Sequence, residues 1–492
     1  MLKRILAQIV CLVFVGASLL FTPVNLSVAG AISAANQAGS TKMISSPIRM
    51  GENHTSTIST VAMDTYKAPD SDPQMLDVKD PDSREKKISA ANDSENLAKA
   101  ESEAMAAFNE AEVRLDSMKR AYQSWAIPRQ DRLAKNVKNA KKFGVKADGV
   151  TDDTAKIQDL LNTVPEGSTV FFPAGKYKVN GPIIFAKGIT ILGEPGTVFD
   201  CSSATSTVFL INREGSAASV ISNLKISGIE FAGPGVESDP TLMDIFYAKN
   251  SKLTYLKIHD FGTAAIRLAY CEDCSIEKCV FDNIFKTALG YGVDILNACN
   301  NIYIKYNFFV RNGRHGVSTG CFESTPAMDQ YPRKIFINNN YFENTTEEAI
   351  NTHASTAGPI IITNNVIYNC NKGIQLRNGE TQISGNVLVK CNMGIVMRGD
   401  GGAYISSNVP HVIKNNIIKD NRWEGVYLNS ENVQVLGNII DHGAIVCLST
   451  SAYVVKDNFI QYVASPIDIP ERGQAVVVEN NVAKDSNGLR YI

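Results

Sequence analysis

Residues 362–377 (ITNNVIYNCNKGIQLR) and residues 383–398 (ISGNVLVKCNMGIVMR) are two copies of one sequence unit. In both copies an isoleucine lies three residues before an asparagine, a cysteine follows that asparagine by five, and an arginine closes the unit. The asparagine recurs every 20 to 33 residues, at Asn307, Asn340, Asn365, Asn386, Asn416, Asn438, Asn458 and Asn481. A period of this length is typical of a solenoid, in which each repeat stacks on the next.

The repeated asparagine indicates the kind of solenoid. Asparagine tolerates a left-handed turn, and its amide can bond to the asparagine one coil away. Because β-branched and apolar residues flank it, we predict an all-β parallel β-helix with a stacked asparagine ladder. A leucine-rich repeat is disfavoured, since its leucine spacing and its helices are missing. Cys370 and Cys391 should also stack, as buried thiols, with a disulfide as the alternative.

The segment before the repeats reads FGVKADGVTDDTAKIQDLLNTVPEGSTVFFPAGKYKV, residues 143–179. Its middle predicts a short helix with Thr151 as its cap, and its end predicts a strand, a turn and a second strand. The segment resembles the opening of pectate-lyase-superfamily proteins related to glycoside hydrolase family 28. That resemblance implies a right-handed parallel β-helix with an N-terminal capping helix. It does not specify a reaction, because the superfamily includes lyases, hydrolases, epimerases and adhesins.

The N-terminal quarter of the chain differs from the repeats in composition. Residues 1–30 combine a basic start, an apolar run and small residues, which is typical of a secretory signal peptide. Residues 31–83 are rich in Ser, Thr, Ala, Asp and Pro and predict a disordered linker. Residues 84–135 predict a helical segment, and residues 136–492 the β-helix domain. We therefore expect a secreted or cell-envelope protein, with no membrane contact after signal cleavage.

The helical segment has an apolar seam with a spacing of three and four residues. The seam consists of Phe108, Ala111, Leu115, Met118, Tyr122 and Trp125. We interpret it as the face of a helix that packs on the following domain. The alternative is a homo-oligomer formed through residues 105–125. The chain has 48 Lys and Arg against 50 Asp and Glu, and this balance gives no indication of a nucleic-acid partner.

Each repeat continues from its asparagine to a second strand, with segments such as GVDIL, GVSTG, AINTH and GIQLR. Strand alternation turns the Ile or Val of each segment inward and its next neighbour outward. The outward positions form two columns, which include Asp294 and Asn351 in one and His353, Arg377 and Arg398 in the other. Tyr291, Arg314, His315 and Glu348 stand at the strand starts. Polar and charged side chains should therefore share one strip of the solenoid.

The motifs in this strip carry a second resemblance. YGVD, residues 291–294, is followed one coil later by RHGV, residues 314–317, and this pair resembles the bacterial mannuronan C5-epimerases. Tyr291, Asp294 and His315 match the motif of that family, whereas Leu296 stands where the family has a histidine. The resemblance implies an acidic, uronate-containing polysaccharide as substrate and partner.

Removal of the C5 proton of a uronate needs a base with a near-neutral pKa and a donor or cation that stabilises the enolate. We predict that His315, Tyr291, Asp294 and Arg314 are the catalytic residues. The predicted substrate-binding residues are Glu348, Asn351, His353, Arg377 and Arg398. The predicted function is that of a polysaccharide lyase or a C5-epimerase.

Two alternatives and one cofactor question stay open at this level. A polygalacturonase-type glycoside hydrolase needs two carboxyl groups, and Asp294 and Glu348 are two coils, about 9–10 Å, apart. A non-catalytic polysaccharide-binding or envelope-surface protein would keep the strip without an organised acid and base. We predict no metal cofactor, with Ca²⁺ at Asp294, Glu347 and Glu348 as the alternative.

Overall fold

The computed structural model describes residues 90–129, 137–322, 327–353, 356–377, 380–398, 410–448, 452–469 and 476–492. All of them fall within one compact unit, Glu85–Ile492. The predicted signal peptide, residues 1–30, and the predicted linker, residues 31–83, lie outside the described residues. Among the described residues, no helix is both long enough and apolar enough to cross a membrane.

Two α-helices and a long series of short strands follow one another. The helices are α1 (Ala90–Gln123) and α2 (Thr154–Thr163). The first strands are β1 (Lys138–Asn139), β2 (Asp148–Asp152), β3 (Thr169–Phe172), β4 (Gly175–Lys178), β5 (Ile183–Phe185), β6 (Thr190–Gly193), β7 (Thr197–Asp200), β8 (Phe209–Ile211), β9 (Ile221–Ser222), β10 (Lys225–Ser227), β11 (Glu230–Ala232), β12 (Thr241–Phe246), β13 (Ala248–Lys249), β14 (Lys252–Thr254) and β15 (Lys257–His259). The central strands are β16 (Ala264–Ala269), β17 (Glu272–Glu277), β18 (Val280–Asp282), β19 (Tyr291–Leu296), β20 (Asn300–Lys305), β21 (Phe308–Val310), β22 (His315–Gly320), β23 (Arg333–Asn338), β24 (Tyr341–Glu343), β25 (Glu348–Thr352), β26 (Ile360–Thr363), β27 (Val366–Tyr368), β28 (Lys372–Leu376), β29 (Thr381–Ser384), β30 (Val387–Val389) and β31 (Met393–Met397). The last strands are β32 (His411–Lys414), β33 (Ile417–Lys419), β34 (Val426–Leu428), β35 (Val433–Leu436), β36 (Ile439–Asp441), β37 (Ile445–Cys447), β38 (Tyr453–Lys456), β39 (Phe459–Gln461), β40 (Ile467–Asp468), β41 (Val476–Glu479), β42 (Val482–Asp485) and β43 (Gly488–Tyr491).

These strands form three long sheets that run along the solenoid. Sheet A has 16 strands and follows the order β1-β3-β6-β10-β14-β17-β20-β23-β26-β29-β32-β35-β38-β41, with β9 and β13 beside this path. Sheet B has 15 strands, β2-β4-β7-β11-β15-β18-β21-β24-β27-β30-β33-β36-β39-β42-β43, and sheet C has 12, β5-β8-β12-β16-β19-β22-β25-β28-β31-β34-β37-β40. Neighbouring strands are one coil apart and parallel, as β19 and β22 are, whereas β42 and β43 are antiparallel. The predicted all-β parallel β-helix is confirmed.

The asparagine ladder lies at the turn between sheets A and B. Asn340 illustrates its bonding, because its backbone N–H and its Nδ2 both donate to Asn365 Oδ1, at 2.9 and 3.0 Å. The same contact joins each ladder asparagine to the next, from Asn307 to Asn481. All of these asparagines are buried, so the ladder satisfies backbone groups that water does not reach. Cys370 and Cys391 are buried free thiols, as the default interpretation predicts.

The interior of the solenoid is filled by columns of apolar side chains. Phe281, Phe309 and Phe342 stack on three successive coils, with ring centroids 4.7 and 4.8 Å apart. A Cβ at Gly316 would lie 2.6 Å from the ring of Phe342. The glycine at the start of β22 is therefore required, because a side chain there would collide with the aromatic stack.

The helix α2 caps the N-terminal end of the solenoid, where Ile157, Leu160 and Leu161 are buried. It begins after Asp153, whose carboxylate accepts hydrogen bonds from the backbone N–H groups of Lys146 and Ala147. The predicted cap at Thr151 is therefore wrong, since this residue still belongs to β2. The aspartate ties the preceding loop to the helix start, and this tertiary role is not visible in the local sequence.

The helix α1 lies along sheet B. Ala104, Phe108, Ala111 and Leu115 are buried in one cluster with sheet B residues such as Val366 and Val387. Arg114 Nη1 donates to the carbonyl of Gly385 at 3.2 Å, and Trp125 Nε1 donates to the carbonyl of Lys278 at 3.1 Å. The apolar seam thus packs on the domain of the same chain, as our first interpretation predicts. A homo-oligomer through residues 105–125 stays a prediction, and it would have to use the outer face of α1.

Candidate functional site

The candidate site lies on the outer face of sheet C, where the strand register aligns polar residues in columns. One column contains Tyr291, His315, Glu348 and Lys372, each paired with the next across adjacent strands. A second column contains Asp244, Arg267, Asp294, Ser318, Asn351 and Gln375. We call these two columns, together with Arg314, Glu347, His353, Arg377 and Arg398, the polar strip. The predicted vertical register of the second column is confirmed residue by residue.

Both columns face the same side of sheet C, although regular alternation would put residue 348 on the opposite face from residue 351. Asn351 Nδ2 donates to Glu348 Oε2 at 3.0 Å, which requires the two side chains to be neighbours. Small residues, such as Gly316 and Ala349, follow the first column, and a Cβ at Gly316 would lie 2.6 Å from the ring of Phe342.

Arg314 and Tyr291 are joined at the start of the first column. Arg314 Nη1 donates to the Tyr291 hydroxyl oxygen at 2.7 Å, and its Nε lies 3.3 Å from Glu347 Oε2. The Arg314 side chain keeps 31% of its surface exposed, so its cation can meet a ligand. Burial, followed by the charge of Asp294, raises the pKa of Tyr291 to about 12, while Arg314 opposes this rise. The Tyr291 hydroxyl is therefore protonated at neutral pH and can donate a proton.

Next to this pair, His315, Glu348 and Lys372 form a chain of contacts along the first column. His315 Nδ1 is 3.0 Å from Glu348 Oε2, a contact with the distance but not the alignment of a hydrogen bond. Lys372 Nζ donates to Glu348 Oε1 at 2.6 Å. Burial lowers the pKa of His315, against the opposing effect of Glu348, so the imidazole is neutral at neutral pH. Burial alone would raise the pKa of Glu348, but its contacts with His315 and Lys372 hold that pKa well below its usual range.

Acidic and basic residues alternate along the start of the second column. Arg267 lies 3.8 Å from Asp244 and 3.9 Å from Asp294, between the two carboxylates. Burial raises the pKa of Asp294 to about 6, and Arg267 acts against this rise. Burial also raises the pKa of Asp244, whose Oδ1 has no hydrogen-bond partner among the described residues. Asp294 can therefore hold a proton at mildly acidic pH.

The predicted catalytic residues come together, but not in an open groove. His315 has no exposed surface, because its ring packs edge-to-face against Tyr291 at 5.4 Å and against His353 at 5.6 Å. Glu348 and Asn351 are buried as well. Asn351, which strand alternation places on the outward face, is therefore covered by neighbouring coils, as are His315 and Glu348. Arg377 and Arg398 are half-buried and follow His353 on the next two coils.

Sequence reasoning missed Asp244 and Lys372 as members of the strip. Asp244 lies one coil before Arg267 in the same column, and Lys372 lies one coil after Glu348. Extending the aligned segments by one coil in each direction would have found them. A cation could use His315, Glu347 and Glu348, whose ligand atoms lie within 4.8 Å of one another, although Lys372 already places a positive charge on Glu348. A second such group, Asp420, Asp441 and His442, follows strands of sheet B.

Comparison with known proteins agrees with this fold. Residues 137–375 match the family described as rhamnogalacturonase A/epimerase, pectate lyase-like. The chain is 26% identical over 284 residues to mannuronan C5-epimerase AlgE5 of Azotobacter vinelandii, which covers 56% of this chain and 25% of the relative. The chain spans a quarter or less of the length of the curated relatives that it matches.

Two solved structures are similar to this chain over most of its length. The family 28 exopolygalacturonase of Yersinia enterocolitica has 14% identity and a TM-score of 0.49, and the match covers 73% of this chain and 80% of that one. The surface adhesin PfbA of Streptococcus pneumoniae has 14% identity and a TM-score of 0.47, with 72% of this chain and 94% of that chain covered.

Proposed function

Because this chain carries a pectate-lyase-like β-helix over residues 137–375, we propose that it acts on an acidic polysaccharide by removing the C5 proton of a uronate, as a lyase or a C5-epimerase. One observation carries the proposal. Arg314, a partly exposed cation, donates a hydrogen bond to the Tyr291 hydroxyl directly above the His315–Glu348–Lys372 chain. A carboxylate-binding cation and two proton-carrying groups are thereby within one cluster.

Arg314 supplies the electrostatic part of the proposed reaction. When the C5–H bond breaks, its electron pair moves towards the carboxylate, which becomes an enolate with two negatively charged oxygens. A guanidinium beside that carboxylate stabilises the charge that develops. Arg314 fits this role because its Nη1 is fixed by Tyr291 and its Nε by Glu347, while part of the side chain stays exposed.

Tyr291 and His315 carry the protons. His315 is neutral and can accept the C5 proton, whereas Tyr291 is protonated and can donate one. Contact between His315 and a sugar requires the ring of His353 to turn away, since that ring packs against His315. Burial and the charge of Asp294 raise the pKa of Tyr291. The ion pair of Lys372 with Glu348 keeps the Glu348 carboxylate beside the imidazole of His315. An epimerase would return a proton to the opposite face of C5, and a lyase would expel the O4 substituent.

The hydrolase alternative has less physical support. An inverting glycosidase needs one carboxyl group that is protonated at working pH and a second that activates water. Asp294 fits the first requirement. Glu348 does not fit the second, because His315, Lys372 and Asn351 occupy both of its oxygens and it has no open side for a water molecule.

A polysaccharide-binding protein without turnover is the second candidate. It is favoured by the burial of His315 and by Leu296, which stands where the epimerase motif has a histidine. In that case Arg377 and Arg398, which follow one another on adjacent coils, would bind carboxylates of the polymer together with Arg314. Binding without turnover on a broad panel of uronans would decide in favour of this candidate.

We also propose that the reaction needs no bound metal. Arg314 and Lys372 already supply positive charge to the two ends of the cluster, so a divalent cation is not needed for the enolate. Activity that survives chelation would support this, and activity restored by Ca²⁺ alone would assign Glu347 and Glu348 a role as ligands.

We further propose export to the cell envelope or medium, because residues 1–30 have the pattern of a signal peptide. The N-terminal sequence of the mature protein from the producing cell tests this.

The function is tested by incubating the full chain with polymannuronate and polygalacturonate in deuterated buffer. Deuterium at C5 without cleavage identifies an epimerase, an unsaturated product identifies a lyase, and new reducing ends without unsaturation identify a hydrolase. Tyr291→Phe should lower turnover by about 100-fold or more, which is the usual contribution of a proton-transfer group. Tyr306→Phe, which removes the hydroxyl of an exposed tyrosine in a sheet A turn, is the matched control. Full activity of Tyr291→Phe would refute the assignment.

A further inference from the structure

Beyond the catalytic cluster, sheet C carries an aromatic group at the ends of its strands. Phe246, Tyr247, Tyr270 and Phe322 form this aromatic platform, in which Tyr247 and Tyr270 stack at 4.6 Å and Phe246 and Phe322 stack at 6.1 Å with planes 5° apart. Phe246, Ala269 and Leu296 form a small apolar cluster that is separate from the solenoid core. The platform thus belongs to the outer surface, on the same face as the polar strip.

Phe322 is the exposed member of the platform, with 45% of its surface in solvent. Two contacts fix it in place although it is exposed. Its backbone N–H donates to Asn297 Oδ1 at 2.8 Å, and its ring lies parallel to that of Phe246. Phe246 in turn carries the guanidinium of Arg213 over its ring at 4.4 Å. A large apolar side chain that is exposed and held by its neighbours offers a ready surface for a ligand.

The platform is continuous with the polar strip. Phe246 follows Asp244 by two residues in β12, and Asp244 begins the column that leads through Arg267 to Asp294. From the coil of Asp244 to that of Asp294 there are two coil spacings, about 10 Å. A chain of linked sugars spans this distance, whereas a single ring does not. Arg213 stands at the border, 3.8 Å from Asp244 and with 44% of its side chain exposed.

We propose that Phe322 and Arg213 form a distal sugar subsite, in which one pyranose of the acidic polysaccharide stacks its C–H face on the Phe322 ring and places its carboxylate on Arg213. This inference rests on the proposed function, because it takes the ligand from it. The occupant is a uronate ring rather than an apolar partner, since a guanidinium borders the exposed ring. The subsite would hold the polymer along the solenoid axis and add affinity for long chains only.

The test compares oligouronates of about three and about eight residues, because the coils from Asp244 to Gln375 span roughly 24 Å. Binding of each is measured by titration calorimetry with the full chain. Phe322→Ala should weaken binding of the long oligomer about tenfold and leave the short one unchanged. Phe322→Trp should keep the affinity, and Arg213→Gln should weaken the long oligomer. Phe143→Ala is the matched control, since Phe143 is also 45% exposed and lies in the N-terminal turn Ala140–Phe143.

The possible failures are distinguishable. If the wild-type chain binds the long oligomer and Phe322→Ala binds it equally well, the distal subsite is refuted while the proposed function stands. If Phe322→Ala weakens the short and the long oligomer equally, Phe322 acts at the catalytic cluster and the distal assignment falls. If the wild-type chain binds none of the oligouronates, the proposed function and the distal subsite fall together.

Discussion

Replacement of Asn386 by leucine tests the ladder that fixes the coil register, and with it the geometry of the polar strip. The side chain donates to the carbonyl of Ile362 at 2.9 Å and accepts from the backbone N–H of Asn365 at 2.9 Å. Leucine has similar size but makes neither bond. The Oδ1 of Asn416 stays satisfied, because the backbone N–H of residue 386 still donates to it. Two buried backbone groups, one N–H and one C=O, therefore lose these partners.

The expected cost follows from those two groups. A buried polar group that loses its partner costs about 1–3 kcal/mol, so the variant should be less stable by about 2–6 kcal/mol. Since a typical domain is stable by about 5–15 kcal/mol, the loss is a large fraction of the total. Because each coil contacts only its neighbours, amide hydrogen exchange should accelerate first in the coils of Asn365 and Asn416.

The assay is urea unfolding followed by circular dichroism, together with hydrogen exchange. Asn392→Leu is the matched control, because Asn392 Nδ2 also donates to an asparagine one coil away, Asn371 Oδ1 at 2.9 Å, but at a half-exposed site. Water can replace that contact, so the control should lose less than about 1 kcal/mol. If both variants lose the same stability, the ladder does not stabilise the fold by hydrogen-bonding buried backbone groups, and our account of the register is refuted.

Three further predictions use the titration and packing of other sites. Asp294→Asn should remove a pH dependence of stability. The pKa of the wild-type carboxyl is about 6 in the folded chain and 3.8 in the unfolded chain, so the free energy of unfolding falls by up to about 3 kcal/mol as the pH rises from 4 to 7. Thermal melts of the variant should lack this fall. His411→Leu should remove a loss of stability at acidic pH. Burial lowers the pKa of His411 to about 4, so the wild-type chain loses stability as the pH falls from 6.5 towards 4. The melting temperature of the variant should change less over that range. Phe108→Ala should lower the free energy of unfolding by about 3 kcal/mol and expose α1 to proteolysis. Met105→Ala, which removes an exposed side chain from the same helix, should change stability little. Equal effects of the two substitutions would contradict the packing of α1 on sheet B.

The solenoid could be predicted because its signal is repeated. Each asparagine of the ladder has the same neighbours in sequence, and the register follows once two coils are aligned, as for Asn365 and Asn386. The second column of the strip follows from the same alignment, since strand alternation fixes which of its residues share a face. The packing of α1 on the following domain was predictable from its seam, although the sheet and the partner residues that it contacts were not.

The burial of the strip could not be predicted in the same way. Whether His315 is open to solvent depends on the rings of Tyr291 and His353, which pack against it from the neighbouring coils. Alternation assigns a face to a residue but does not say what covers that face. The contact between Glu348 and Asn351 also departs from alternation, which would place these two side chains on opposite faces of the strand.

The composition of the columns argues that the polar strip serves something other than folding. A buried charged network is often no more stabilising than apolar residues of similar volume, and it becomes costly when one partner is missing. The same two columns continue with apolar residues further along this chain, where Met393 follows Lys372 and Val396 follows Gln375. Sheet C is therefore compatible with apolar residues at these positions. The coils from Asp244 to Lys372 instead carry acids, bases and an enclosed imidazole, which indicates a chemical role for these residues.

Replacing both members of the Glu348–Lys372 pair with leucine and methionine should leave the melting temperature within a few degrees of the wild-type value while abolishing turnover of uronans. A large loss of stability would instead make the pair a part of the fold.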